Sequence, residues 1–326
     1  MNTLKTGLNL FERISRHWFA ILAVCFVQLH PSAASARPLI DIEMTKDWKI
    51  WLRGPTCADL QPQLAAFATW RERLGEAPTS TQSSCDCSGA RCKIEVSAVL
   101  PTFAKKVLGI FPENDGPNCW NTSLVSANIL PFMRGTDANE FTYWMNSPLC
   151  TKLAPGATPE PGDIMAIRSN FGKVEQHAFI YATAELSFSK KNFEAAEPYL
   201  LLSTDEIYGR PYKIRKECQG VETAGCETQV HAYRCMNLPR YLSDKTVSAQ
   251  TQLRVSQVER TEKQLETKLF TSADDYQGAI GEAAKRQAKL VSADLKSAPS
   301  GSVDELILKG LMLRTQSIVD AMKNLK

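Results

Sequence analysis

DGPNCWNTSL, residues 115–124, sets a cysteine between a Gly-Pro turn and an apolar run. Asp-Gly-Pro-Asn is a turn signal, Asn118 is a good N-cap, and WNTSLVSANIL reads as helix as far as Pro131. Cys119 therefore falls in the first turn of a helix. Unpaired amides and the helix dipole favour negative charge there, which is the setting a nucleophilic thiolate needs. A disulfide is the competing reading, because the chain is rich in cysteine.

Working outward, the first 36 residues read as a signal peptide. Lys5, Arg13 and Arg16 precede a twelve-residue apolar run, Trp18 to Leu29, and Ala34-Ser35-Ala36 supplies a small-x-small cleavage pattern. The run is too short to span a membrane. The mature chain is expected to be exported, periplasmic or extracellular. Its removal takes three basic and one acidic residue from totals of 38 and 35, leaving a net charge of +1. That balance points to neither nucleic acid nor an anionic membrane as partner. Nine of the ten cysteines remain, in a compartment where thiols pair. Nine is odd, so one thiol is left over or pairs between chains.

Residues 37–110 read as an irregular, disulfide-containing region with one helix around LQPQLAAFATWRERLG and a cysteine-dense loop, SSCDCSGARC. Residues 111–243 carry the strand signals: PGDIMAIR (161–168), EQHAFIYAT (175–183), ELSFSK (185–190) and PYLLLST (198–204). A short helix is expected near Glu140 to Asn146. A helix followed by consecutive short strands indicates an α+β fold with an antiparallel sheet. From residue 244 to 326 cysteine vanishes and apolar residues recur at helical spacing: Leu253, Val258, Leu265, Leu269, then Ile307, Leu311, Ile318, Met322 and Leu325. Ser302 with Glu305 makes a capping-box signature for the last helix. This region is either packed on the main domain or a stalk that binds a protein partner.

Of four histidines, His17 and His30 precede the cleavage site, leaving His177 and His231. His231, between Cys226 and Cys235, reads as structural. His177 opens an apolar strand and is either a core residue or a general base.

Cys119, then Pro161-Gly162-Asp163-Ile164, then His177-Ala178-Phe179-Ile180-Tyr181 is an order that resembles NlpC-type cell-wall cysteine peptidases and related cysteine–histidine amidases. The 58 residues between Cys119 and His177 suit that family, and the resemblance covers roughly residues 111–204. It implies a papain-like core in which Cys119 attacks an amide carbonyl and His177 acts as base and then acid. The substrate implied is a peptide or peptidoglycan-like amide, with no metal or organic cofactor. The family's third polar residue, about a dozen positions after the histidine, corresponds to Ser189; Asp205 and Glu206 lie further along. Asn118 and Trp120 stand where the family has Asp and Ser beside the nucleophile. If turnover is lost, the same fold is expected to serve as a binding protein.

The family's Asp-Cys-Ser-Gly nucleophile motif also occurs literally, at Asp86-Cys87-Ser88-Gly89. Cysteines flank it, KIEV after it reads as strand, and 90 residues separate Cys87 from His177. The segment reads as a disulfide-bonded loop, with zinc binding by Cys57, Cys85, Cys87 and Cys92 as the other alternative. Asp163 is most simply a turn residue.

Overall fold

The computed structural model describes residues 40–77, 83–169, 175–209, 212–270 and 277–324. The signal-peptide reading lies outside the described residues. Ile40 onward forms one compact α+β unit with two antiparallel sheets and a helical C-terminal region.

The first sheet corrects the expectation of an irregular N-terminal region. β1 (Asp41–Met44), β2 (Ile50–Gly54), β3 (Cys85–Asp86) and β4 (Cys92–Glu95) pair in the order β1-β2-β4-β3. Inward-facing Ile50, Leu52 and Ile94 are buried. Helix α1 (Cys57–Arg73) begins with a full capping box between Thr56 and Asp59, and its Leu60, Leu64, Phe67 and Trp70 bury the face turned to this sheet and beyond.

After a short helix α2 (Thr102–Val107) comes α3 (Cys119–Ser126), the helix of the quoted stretch. Asn118 caps it, its side chain accepting from Asn121 N at 3.0 Å. Gly116 in the preceding turn has φ 153°, and a Cβ there would lie 3.0 Å from Leu269 Cδ2, so the position wants glycine. The helix stops earlier than Pro131. Asn128 turns left-handed at φ 54°, Ile129 N bonds back to Leu124 O and Asn128 N to Val125 O, both at 2.9 Å. This is a Schellman end, built on asparagine instead of glycine. Helix α4 (Ala138–Met145) follows, capped by Asp137.

The second sheet runs β5-β10-β6-β7-β8-β9, all antiparallel: β5 (Cys150–Lys152), β6 (Asp163–Ser169), β7 (His177–Tyr181), β8 (Leu186–Lys190), β9 (Tyr199–Ser203) and β10 (Thr228–Cys235). α3 packs across β7 and β8. One hydrophobic core joins the first sheet, α1, α3, α4 and the near face of the second sheet. Asp163 proves to be more than a turn residue. Fully buried, it accepts from Glu160 N at 2.8 Å, from Arg73 at the end of α1 at 2.8 Å and from Arg234 of β10 at 3.0 Å.

Two short helices, α5 (Thr204–Gly209) and α6 (Leu238–Leu242), lead to three long ones: α7 (Ala249–Leu269), α8 (Gln277–Ser297) and α9 (Val303–Asn324). Ser302 caps α9, accepting from Glu305 N, while Glu305 takes the N–H of Gly301. These helices close on the rest of the unit through buried charge. Arg134 donates to Glu140 at 2.8 Å and to Glu262 of α7 at 2.7 Å; Arg314 of α9 also binds Glu262, and Ser317 binds Glu140. All four charged side chains are almost fully buried. The end of α7 is capped from the turn before Cys119, with Glu113 N and Asn114 Nδ2 donating to Leu269 O and Lys268 O. Among the described residues, no helix is long and apolar enough to cross a membrane.

Candidate active site

Four disulfides form: Cys57–Cys85, Cys87–Cys92, Cys150–Cys235 and Cys218–Cys226. Cys119 is the one free thiol among the described residues. The Asp86–Gly89 motif is thereby closed into a disulfide loop, and Cys87 is not available as a nucleophile.

Cys119 lines a cleft of about 530 Å³ together with His177, Ser189, Trp120, Tyr212 and Glu206. The three candidate residues converge because α3 lies on β7 and β8, and the antiparallel pairing of those strands puts Ser189 on the face that His177 occupies. Ser189 Oγ lies 3.2 Å from His177 Nε2 and 3.3 Å from Lys190 O. A carbonyl oxygen only accepts, so the single hydroxyl proton goes to Lys190 O and Ser189 accepts from an Nε2–H. The tautomer that satisfies both contacts is Nε2–H. Its buried Nδ1 has no hydrogen-bond partner. Tyr212 stacks on the ring, centroids 5.4 Å apart. Of the other candidates for the third position, Glu206 lines the cleft and Asp205 is exposed beside it in the first turn of α5.

The electrostatics correct one expectation. Burial pushes the Cys119 thiol up to about 11, although backbone hydrogen bonds from Ala178 and from the start of α3, together with the Lys190 ammonium, oppose it. Burial also pulls His177 down to about 4. Burial thus favours the neutral thiol and neutral imidazole over thiolate and imidazolium. The helix start lowers the thiol, as its sequence position implies, but desolvation of a residue only 7% exposed outweighs it.

Lys190 is a participant the sequence reading missed. Its side chain is fully buried, its ammonium donates to Asn192 O at 2.9 Å and Glu194 O at 2.7 Å, and burial pulls it down to about 8. The loop it holds forms one rim of the cleft and is tied to the turn before Cys119. Gly116 N bonds to Phe193 O and Ala195 N to Asp115. The signal was present in LSFSK, where a lysine ends a strand of otherwise small and apolar residues. Tyr212 carried no such signal.

His231 sits across β6 from His177, with Nδ1 2.8 Å from Glu175 and Nε2 3.1 Å from Glu222. Both ring nitrogens are engaged, in keeping with a structural role. No family model, curated protein or solved structure matches this chain.

Proposed function

We propose that this protein is an exported cysteine hydrolase with a papain-like catalytic core that cleaves amide bonds. The observation that carries the reading is the free thiol of Cys119, opening α3 in a cleft where His177 keeps Nδ1 unpartnered while Ser189 fixes Nε2. The four disulfides support export, since such bonds persist in oxidising compartments.

In this reading the sulfur attacks the carbonyl carbon as its proton passes to His177 Nδ1. The imidazolium so formed keeps its Nε2–H on Ser189. Backbone N–H groups at the start of α3 receive the oxyanion, and the proton then goes to the leaving amine. Water, deprotonated by His177, attacks the thioester and restores the thiol. A neutral resting pair suits this sequence, because the proton moves only as the substrate is attacked. The resemblance of the Cys119, Pro161–Ile164 and His177–Tyr181 segments to NlpC-type peptidases makes a peptidoglycan peptide the substrate to try first.

A second reading, a binding protein that keeps the fold without turnover, is favoured by the same neutral pair and by a third residue that is only a hydroxyl. Digestion of soluble peptidoglycan peptides, followed by mass spectrometry, separates the two. Hydrolysis predicts products gaining one water in total, absent with Cys119→Ala and nearly absent with His177→Ala. Intact peptides that are retained by both the wild type and Cys119→Ala would establish the binding reading instead.

A further inference from the structure

Away from the cleft, the N-terminal sheet gathers four sulfurs. The Sγ atoms of Cys57, Cys85, Cys87 and Cys92 all lie within 4.8 Å of one another. Two disulfides join them in pairs, and across the pairs Cys57 Sγ stands 3.2 Å from Cys87 Sγ. A tetrahedral Zn²⁺ with Zn–S bonds of about 2.3 Å needs its sulfurs about 3.8 Å apart. Every separation across the two pairs is 4.8 Å or less, close to that edge, so four thiolates could close on one ion with small shifts of side chains.

Backbone contacts besides the disulfides also hold them in place. Cys57 is the first residue of α1, fixed by the Thr56–Asp59 capping box. Cys85 and Cys92 belong to β3 and β4, registered by the pairs Cys85↔Ile94 and Gly54↔Cys92. Cys87 stands in the loop between those strands, where Ser88 N donates to Asp86 at 2.8 Å. The start of α1 is also a place where negative charge is favoured, which suits a tetrathiolate centre carrying two net negative charges. The other two disulfides, Cys150–Cys235 and Cys218–Cys226, lie outside this group, and so does Cys119.

We infer that this four-sulfur cluster, when its two disulfides are reduced, is a Zn²⁺ site of the tetracysteine type, giving the N-terminal sheet a disulfide-bonded and a metal-bound closed state. The reductant is a dithiol or a phosphine. Two equivalents supply four electrons and are themselves oxidised, and the four protein sulfurs take up four protons. Zn²⁺ then displaces those four protons as it binds. The inference does not depend on the hydrolase reading, since neither Cys119 nor His177 takes part.

The test uses the full chain reduced with a phosphine, freed of reductant without oxygen, and titrated with Co²⁺ as a spectroscopic substitute for Zn²⁺. The expected result is one equivalent bound with thiolate charge-transfer and tetrahedral d–d bands, bleached by one equivalent of Zn²⁺. Cys57→Ser and Cys87→Ser should each lose the tetrathiolate bands, while Cys218→Ser should keep them. Because reduction also opens the other two disulfides, a variant with serine at 150, 218, 226 and 235 is titrated in parallel and should give the same bands. Absence of stoichiometric tetrathiolate bands in both proteins overturns the inference. So do bands that survive Cys57→Ser and Cys87→Ser.

Discussion

His177 and His231 stand on strands that flank β6 from opposite sides, opposite Ile167 and Ala166 respectively. Both are buried, yet their surroundings differ in kind. His231 has a carboxylate on each ring nitrogen, and Glu175 in turn takes the Tyr233 hydroxyl and the Arg168 guanidinium. Burial raises the Glu175 carboxyl, but His231, Arg168 and Tyr233 outweigh it and hold it below the usual range. His177 has one hydroxyl, no charged partner, and a free Nδ1. The same contrast separates the Arg134–Glu140–Glu262–Arg314 network, where every charge is paired, from the cleft, where the groups rest neutral and under-satisfied. Paired charge marks where this protein is held together. Unpaired polar atoms beside a free thiol mark where it can react.

The largest effect should come from breaking the paired side. Glu262→Ala leaves the buried Arg314 guanidinium without its carboxylate and takes one of two from Arg134, and removing one partner from such a network costs about 3–5 kcal/mol. Urea denaturation should show that loss. Truncation after Ser243, which removes α7 to α9 and with them the partners of Arg134, Glu113 and Asn114, should leave no cooperatively folded core by circular dichroism. A folded, stable truncation product would show that the helices are an accessory and that the paired network matters little.

A smaller effect tests the unpaired side through pH. His177 has a folded-state value near 4 against an unperturbed value near 6.5, so the unfolded chain binds the extra proton. The associated stability is complete above about 6.5 and is lost as pH falls toward 4, amounting to about 3 kcal/mol. The wild type should lose that much more between pH 7 and pH 4 than His177→Phe does. Equal acid sensitivity in the two proteins would mean that His177 is not held neutral. The carboxylates Glu175 and Glu262, held low by their partners, add losses at more acid pH in both proteins alike.

The smallest effect concerns Lys190. Lys190→Met removes the ammonium that favours the thiolate and frees the rim loop from its two carbonyl contacts. Iodoacetamide labelling of Cys119 at pH 7, below the Lys190 value of about 8 so that the ammonium is charged, should slow, by about tenfold for each unit by which the thiol's titration rises. Lys190→Arg, which keeps the charge, should recover part of the rate. An unchanged rate in Lys190→Met would remove Lys190 from the electrostatics of the site.

Much of the cleft was legible from local pattern. Asn118 before an apolar run announces a helix start, β6 to β9 follow from apolar content and turn residues, and the odd cysteine count leaves one thiol without a partner in its own chain. Ser189 fell at the right distance from His177 because two adjacent strands joined by a short turn bring such residues onto one face. What escaped depends on contacts distant in sequence. The four strands of the first sheet are two to five residues long and carry charged side chains, so alternation is too short to register. β10 lies within CETQVHAYRC, where polar residues and a terminal cysteine leave few β-branched or apolar positions to mark a strand. The resting protonation of Cys119 and His177 is set by burial, which no local motif reports. Arg134 and Glu262 lie 128 residues apart, so nothing in either segment indicates that the helical tail is tied to the segment after α3.

The central claim is that His177 rests as a neutral imidazole protonated on Nε2, with Nδ1 open as the base for Cys119. Nitrogen NMR of protein labelled at histidine tests it directly, with His177→Gln and His231→Gln used to assign the imidazole signals. The account predicts for His177 one protonated Nε2 and one bare Nδ1 at pH 7, with no titration until the pH nears 4. An imidazolium at pH 7 that is lost in Cys119→Ala would contradict it, showing a preformed thiolate–imidazolium pair in its place.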